Sequence, residues 1–368
     1  MSRNFNDAKP LLPGNKSFAA YPAAREPTAS RSPYMRNRWS AGSDRVIALV
    51  LTLFCGITRL YRIGRRTSCA WDESHFGKFG AFYVRGKFFM DVHPPAAKML
   101  VALSEVLAGH NGTFEFKGGE EYPAYVNYVF MRGFNAMFGI ALAPLAYLTC
   151  RLLRLPPAFA AMAALFVTFD NAITVISRFI LLDAPLLAFT ALALAMLAGF
   201  YRQHARPFSS SWWQWLFGMG VALGLVASAK WVGLFAVALA GAYTIYELWE
   251  MFCEPRLQLG AYAKHWAARM AALIVVPVGI YMFWFWIHFA VLTNYDASAA
   301  FMPMGFQARL KGSPLAQQPY EVTTGSAIRL QAPGGAGYLH SHVHRYPAGS
   351  MRQQITGYGY ADGNNVWG

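Results

Sequence analysis

The stretch ARMAALIVVPVGIYMFWFWIHFAVL, residues 268–292, decides the fold class, because its only basic side chains are Arg269 and His288 and it has no acidic one. About 20 apolar residues cross the hydrocarbon of a bilayer, and a soluble core does not need a run of that length. Working outward from it, similar blocks lie at 46–61, 127–150, 155–173, 180–200, 212–229 and 231–248. The pattern predicts seven spans, with Asp170 and Asn171 diluting the third and several glycines the fifth. Composition agrees: 55% of the 368 residues are hydrophobic and only 14% charged, with a mean hydropathy of +0.27. Soluble domains carry about a quarter charged residues, so a disordered chain and an ordinary soluble enzyme are both excluded. Four scattered cysteines make neither a disulfide framework nor a zinc site. The formal charge of +14 reads as a membrane-orientation signal rather than a nucleic-acid surface.

Residues 1–43 hold five prolines and six serines without apolar periodicity, and predict a disordered basic tail. No signal peptide is expected, since the first apolar block starts only at Val46. Arg151, Arg154, Arg202, Arg206, Arg256, Lys264 and Arg269 follow the even-numbered spans. With the basic tail they place the N-terminus and these loops in the cytosol, and the long 63–126 loop on the opposite side. Asn111-Gly-Thr113 in that loop is a usable glycosylation sequon, whereas Asn15-Lys-Ser17 is not. The apolar stretch 96–109 is too short to span and predicts an interfacial helix. From 296 onward the chain is rich in Gly, Pro, Gln and Tyr. Its alternating segments 337–344 and 353–360 predict the opening strands of an all-β domain. It stops at Gly368 without a closing element, as the front of a longer protein would.

Ionisable residues at span mouths cost several kcal/mol, so each is a candidate site residue. Arg59, Arg132, Arg178, Asp183 and Lys230 all fall on the outer face, next to Asp72-Glu73 and Asp91-Val-His93. Cations at the hydrocarbon boundary suit a lipid phosphate, and an acid in the water above suits general-base work on a hydroxyl. Blander readings compete. Arg178 and Asp183 pair with each other, Arg59 and Lys230 snorkel to headgroups, and Asp72-Glu73 caps a helix. His340, His342 and His344 share one strand face and read as structural or sugar-contacting rather than metal-binding. A transporter would spread such charges through the membrane depth in repeated halves, and neither feature is present.

The motifs WDESHFGKF (71–79) and FMDVHPPAAK (89–98) resemble the signature of protein O-mannosyltransferases. NGTFEFK (111–117), with Tyr122-Pro123, is most similar to that family's second subfamily. SRFILLD (177–183) and KWVGLF (230–235) match its later helix signatures. LHSHVHRYP (339–347) to NNVW (364–367) resembles the first repeat of a MIR domain. The resemblance covers about 44–368.

It implies an α-helical integral membrane enzyme of the GT-C type over 44–295, followed over 296–368 by a luminal linker and the start of a β-trefoil MIR domain. The implied reaction moves mannose from dolichyl-phosphate mannose to Ser or Thr hydroxyls of secretory proteins, with inversion, in the endoplasmic reticulum. Carried over, Asp72 is the general base and Glu73 supports it. Arg132 is the first candidate for the phosphate clamp, with Arg59, Lys230 and Arg178 as further donor contacts. Asp91, His93 and Asp183 shape the site. No metal or other cofactor is required, the membrane lipid carries the donor, and the expected partner is another O-mannosyltransferase subunit. Ala96-Ala97 and Ala184-Pro185 depart from the family pattern, and the proline is expected to kink the fourth span. Because the MIR domain is only begun, the alternative is an inactive fragment or a non-catalytic client-binding subunit.

Overall fold

A computed structural model describes residues 41–255, 257–316, 322–332 and 337–368. Most of the expected basic tail, residues 1–40, and Arg256 of the orientation signal lie outside the described residues. Helix α1 (Ala41–Leu60) is the first apolar block, extended by one turn that carries Asp44. Helices α2 (Glu73–Arg85) and α3 (Pro95–Leu107) lie within the long loop, α3 being the expected short apolar helix. Gly86 ends α2 in the left-handed conformation (φ 63°), its N–H held by the carbonyls of Phe82 and Tyr83. Then come α4 (Tyr128–Leu152), α5 (Pro157–Phe169), α6 (Asn171–Ile176), α7 (Asp183–Tyr201), α8 (Ser210–Ala229) and α9 (Leu234–Phe252). Helix α10 (Leu259–Met270) continues through a π-turn at Ala271–Val275 into α11 (Val276–Val291).

Five of these helices are long and apolar enough to cross a membrane: α4, α7, α8, α9 with its preceding 3₁₀ turn, and α10–α11 taken as one. Two expectations are corrected. The block 155–173 is not one helix: Asp170 breaks it, and its carboxylate caps α6 by accepting from the Ile173 N–H at 2.7 Å. The Pro185 kink does not form, because the residue falls in the first turn of α7, where no intrahelical N–H is needed. Helices α4, α7 and α8 form the centre, and α8 packs closely on the α10–α11 helix. A Cβ at Gly220 would stand 1.9 Å from the Ala272 carbonyl oxygen, so the backbones approach as only glycine allows. Most of the α10–α11 helix is otherwise uncovered, its buried residues being His265, Ala268, Arg269, Ala272 and His288.

The 63–126 loop is built into this bundle. Phe76, Val101, Phe114, Phe116 and Tyr122 share one buried core with Met131, Ile180, Leu182 and Trp212. Residues after α11 fold back onto the same loop, with Leu292, Ala299 and Leu310 packed on Tyr83, Phe88 and Phe89. Beyond them are β1 (Ile328–Arg329), β2 (Tyr338–Arg345), β3 (Gln353–Tyr358) and β4 (Val366–Trp367). They pair antiparallel as β1–β4 and β2–β3. His340 is buried, with Nδ1 2.7 Å from Asn365 Oδ1, and His342 meets Thr356 Oγ1 at 2.6 Å, while His344 is exposed. Two of the three alternating histidines thus have structural partners.

Candidate active site

The loop after α1 enters α2 through Trp71, whose backbone is left-handed (φ 58°). That conformation costs a non-glycine residue about 1–2 kcal/mol, and it sits directly before the two acids. Successive helical side chains diverge by about 100°, so Asp72 and Glu73 face different surroundings. Glu73 is fully buried. Arg132 donates to it from Nε (2.8 Å) and Nη2 (2.7 Å). The N–H groups of Ala70 (2.9 Å) and Ile180 (3.1 Å) and the Tyr122 hydroxyl (3.2 Å) complete its shell. The remaining Arg132 donors bond the carbonyls of Arg66 (2.6 Å) and Ser68 (3.2 Å), and the guanidinium packs on Tyr122, Tyr128 and Phe179. Asp72 is exposed. It stands at the N-cap of α2, yet its side chain makes no cap hydrogen bond. Among the described residues its carboxylate has no hydrogen-bond or ion-pair partner.

A second group comes from 91–98. Lys98 of α3, 2% exposed, donates to Asp91 Oδ2 at 2.8 Å and to the His93 carbonyl at 2.6 Å. The His93 N–H reaches the same Asp91 oxygen at 3.2 Å. Burial pushes the Asp91 carboxyl up, but Lys98 and the backbone N–H groups hold it below the usual carboxylate range. Burial also lowers His93, against the pull of Asp91, so its ring is neutral at pH 7. The third group is Lys230, which donates to both oxygens of Asp183 at 2.9 and 3.0 Å. Lys230 breaks α8 in an extended conformation and sets its ammonium 5.6 Å from the Phe76 ring centre. The His93 ring lies 6.3 Å from that ring. Phe76 is one helical turn after Asp72, so the exposed acid, the neutral imidazole and the Lys230–Asp183 pair gather about one aromatic side chain.

Arg59 and Arg178 are placed differently. Arg59 is fully buried and donates to the carbonyls of Val167 (2.9 Å) and Thr168 at the end of α5. Arg178 donates to the carbonyls of Thr58, Arg59 and Tyr61 at 3.0, 3.0 and 2.7 Å, closing the end of α1. The expected Arg178–Asp183 pair is not formed, because each side chain finds a partner on another element. All the predicted residues do meet at one end of the bundle. The reading overlooked Lys98 and Tyr122; a lone lysine inside the apolar run PAAKMLVAL was the available signal. No group of three or more His, Cys, Asp or Glu converges among the described residues.

The family model for dolichyl-phosphate-mannose-protein mannosyltransferase matches residues 49–293, which include every residue of the site. The chain belongs to that family. Among similar mannosyltransferases is dolichyl-phosphate-mannose–protein mannosyltransferase 3 of Saccharomyces cerevisiae, 44% identical over 325 residues, covering 88% of this chain and 43% of that one. Mannosyltransferase 2 of Candida albicans is 40% identical over 349 residues, covering 92% and 45%. Protein O-mannosyl-transferase 2 of Danio rerio is 40% identical over 330 residues, covering 88% and 43%. The chain thus spans less than half the length of these relatives. Among solved structures, the S. cerevisiae protein O-mannosyltransferase Pmt1-Pmt2 complex bound to the sugar donor matches with a TM-score of 0.80 at 37% identity. The match covers 91% of this chain and 46% of that one. The chain is therefore a multi-span α-helical membrane protein of the GT-C type, with a few strands at its C-terminal end.

Proposed function

We propose that the chain, as part of a protein O-mannosyltransferase, transfers mannose from dolichyl-phosphate mannose to Ser or Thr hydroxyls of secretory proteins. The observation that carries this reading is the contrast at residues 72 and 73: an exposed, unpartnered carboxylate beside one that is buried and fully bonded. Asp72 takes the acceptor proton as the hydroxyl oxygen bonds to the sugar carbon. The bond from that carbon to phosphate breaks, and dolichyl phosphate leaves with the electron pair, inverting the centre in one displacement. Lys230, partly exposed beside Phe76, is the cation best placed to meet the leaving phosphate. Arg132 is assigned to fixing Glu73, and Arg59 and Arg178 to holding helix ends, because their donors are engaged there. Lys98 positions Asp91 and the His93 segment. These groups supply the charge that the displacement needs, and no metal or other cofactor is invoked.

We place the enzyme in the endoplasmic reticulum membrane, with Asp72 luminal and the N-terminus cytosolic. The partner is another mannosyltransferase subunit, as in the two-subunit yeast complex, and β1–β4 open a MIR domain. The competing reading is a membrane subunit that binds client proteins through β1–β4 without catalysing transfer. Transfer of labelled mannose to a Ser/Thr peptide, in microsomes lacking endogenous activity, separates the two. Activity that disappears with Asp72→Asn supports the enzyme. Full activity of that variant overturns the assigned base, and client binding without transfer by either chain supports the second reading.

A further inference from the structure

At the same end of the bundle, a cavity of about 590 Å³ opens between the end of α1, the segment 62–66 and the α6–α7 connection. Arg62, Arg65, Arg66 and Arg178 line it, with Val175 and Phe179 as an apolar wall. Arg132 also reaches it, but its charge is matched by Glu73. Among the described residues no Asp or Glu lines the cavity. Arg62, Arg65 and Arg66 are exposed and form no ion pair among the described residues, and Arg178 bonds only carbonyls. Four cations converging on one concavity repel each other unless an anion occupies it. Its height is set by α4: Arg132, in the second turn of that candidate span, reaches the cavity, which puts it near headgroup level.

We propose that this cavity binds the phosphate of an anionic membrane lipid, at a site separate from the one around Asp72. The guanidinium forks of Arg62, Arg65 and Arg66 match phosphate oxygens, the carbonyl-bonded Arg178 adds its charge alone, and the Val175–Phe179 wall meets the start of the lipid chain. The inference does not rest on mannosyl transfer and is tested without it.

The purified chain in detergent micelles is titrated with dioleoyl phosphatidic acid and with dioleoyl phosphatidylcholine, and binding is read by native mass spectrometry. The test variant is Arg62→Gln/Arg65→Gln/Arg66→Gln, which leaves Arg132 and the carbonyl-bonded Arg178 in place. Phosphatidic acid is expected to bind at least about tenfold more tightly than phosphatidylcholine, and the variant to lose at least about tenfold of that affinity. Displacement of the lipid by inorganic phosphate assigns the site to a phosphate whatever carries it. Retention against inorganic phosphate assigns it to the lipid headgroup. A wild-type preference below about twofold, or unchanged binding by a variant whose thermal melt is intact, overturns the proposal. Arg65→Gln alone, with a smaller expected loss, keeps the test open should the triple variant fold poorly.

Discussion

Two buried carboxylate–arginine pairs stand at opposite ends of α4. At one end Arg132 holds Glu73; at the other Arg151 holds Asp44 through Nε at 2.7 Å and Nη2 at 3.0 Å, with the Tyr147 hydroxyl at 2.5 Å. At 1.5 Å of rise per residue the two arginines are about 28 Å apart, close to the thickness of a bilayer's hydrocarbon. The chemistry of the pairs is the same, and their neighbours are not. Beside Glu73 stand an unpaired acid, a neutral histidine and a lysine in an exposed notch. At the other end Asp44 is itself the partnered acid, and the pair ties α1 to α4. A buried ion pair thus marks architecture, and the unmatched group next to it marks chemistry.

The comparison breaks most visibly at Asp72. Replacing it by Asn should lower mannose transfer by about 10² to 10⁴-fold, the range of general-base catalysis, with the melting temperature unchanged. A large fall in melting temperature would instead put Asp72 among the structural acids. Removing one partner from the buried pair, by Glu73→Gln or Arg132→Leu, should destabilise the protein by about 3–5 kcal/mol, measured by chemical melt in detergent. Glu73→Leu with Arg132→Leu should recover part of that loss, because no lone charge remains buried. Asp44→Asn should also destabilise, but by about 1–3 kcal/mol, since the Asp44 side chain keeps some solvent contact that Glu73 lacks. Its transfer rate per folded molecule should stay at the wild-type level; a fall would show that the two ends are coupled.

A third buried acid sharpens the contrast because its partner is a histidine. Glu105 meets His110 Nδ1 at 2.7 Å, and its second oxygen has no partner. Burial pushes its carboxyl up to about 7 from an ordinary 4.5. The folded state therefore holds a proton that the unfolded state releases, and this stabilisation is present below about pH 4.5 and lost as pH rises to 7. The melting temperature should fall between pH 5 and pH 8, and Glu105→Gln should flatten that slope. An unchanged slope in the variant would assign the pH dependence elsewhere.

Five of the seven apolar blocks were legible as spans because bilayer length is written directly in residue count, and the cluster of charges because it recurs at block ends. The other two were overread: α1 carries Asp44, Arg45 and Arg59 and is not among the long apolar helices, and Asp170 splits 155–173. The division of labour between Asp72 and Glu73 was not, since adjacent acids share every sequence signal. It depends on the left-handed Trp71 and on the phase in which α2 starts. Arg132 was equally ambiguous, as an arginine near a predicted site reads the same whether it faces a phosphate or a carboxylate. Arg178 and Asp183 misled by proximity: five positions apart, one crosses to α1 and the other to Lys230, 47 residues later. Lys98 stands out as a lone lysine in an apolar run, but its pairing with Asp91 is set by how α3 folds back and is not written in the spacing.

Lys230 has a consequence for how the bundle holds together. Only Lys230 and one 3₁₀ turn, Trp231–Gly233, separate α8 from α9, so the two helices form a hairpin with a positive charge at its tip. A lysine at the mouth of a span is costly unless it is partnered. Asp183, at the start of α7, meets that ammonium with both oxygens and offsets the cost. One ion pair thus latches the tip of the hairpin to the helix before it.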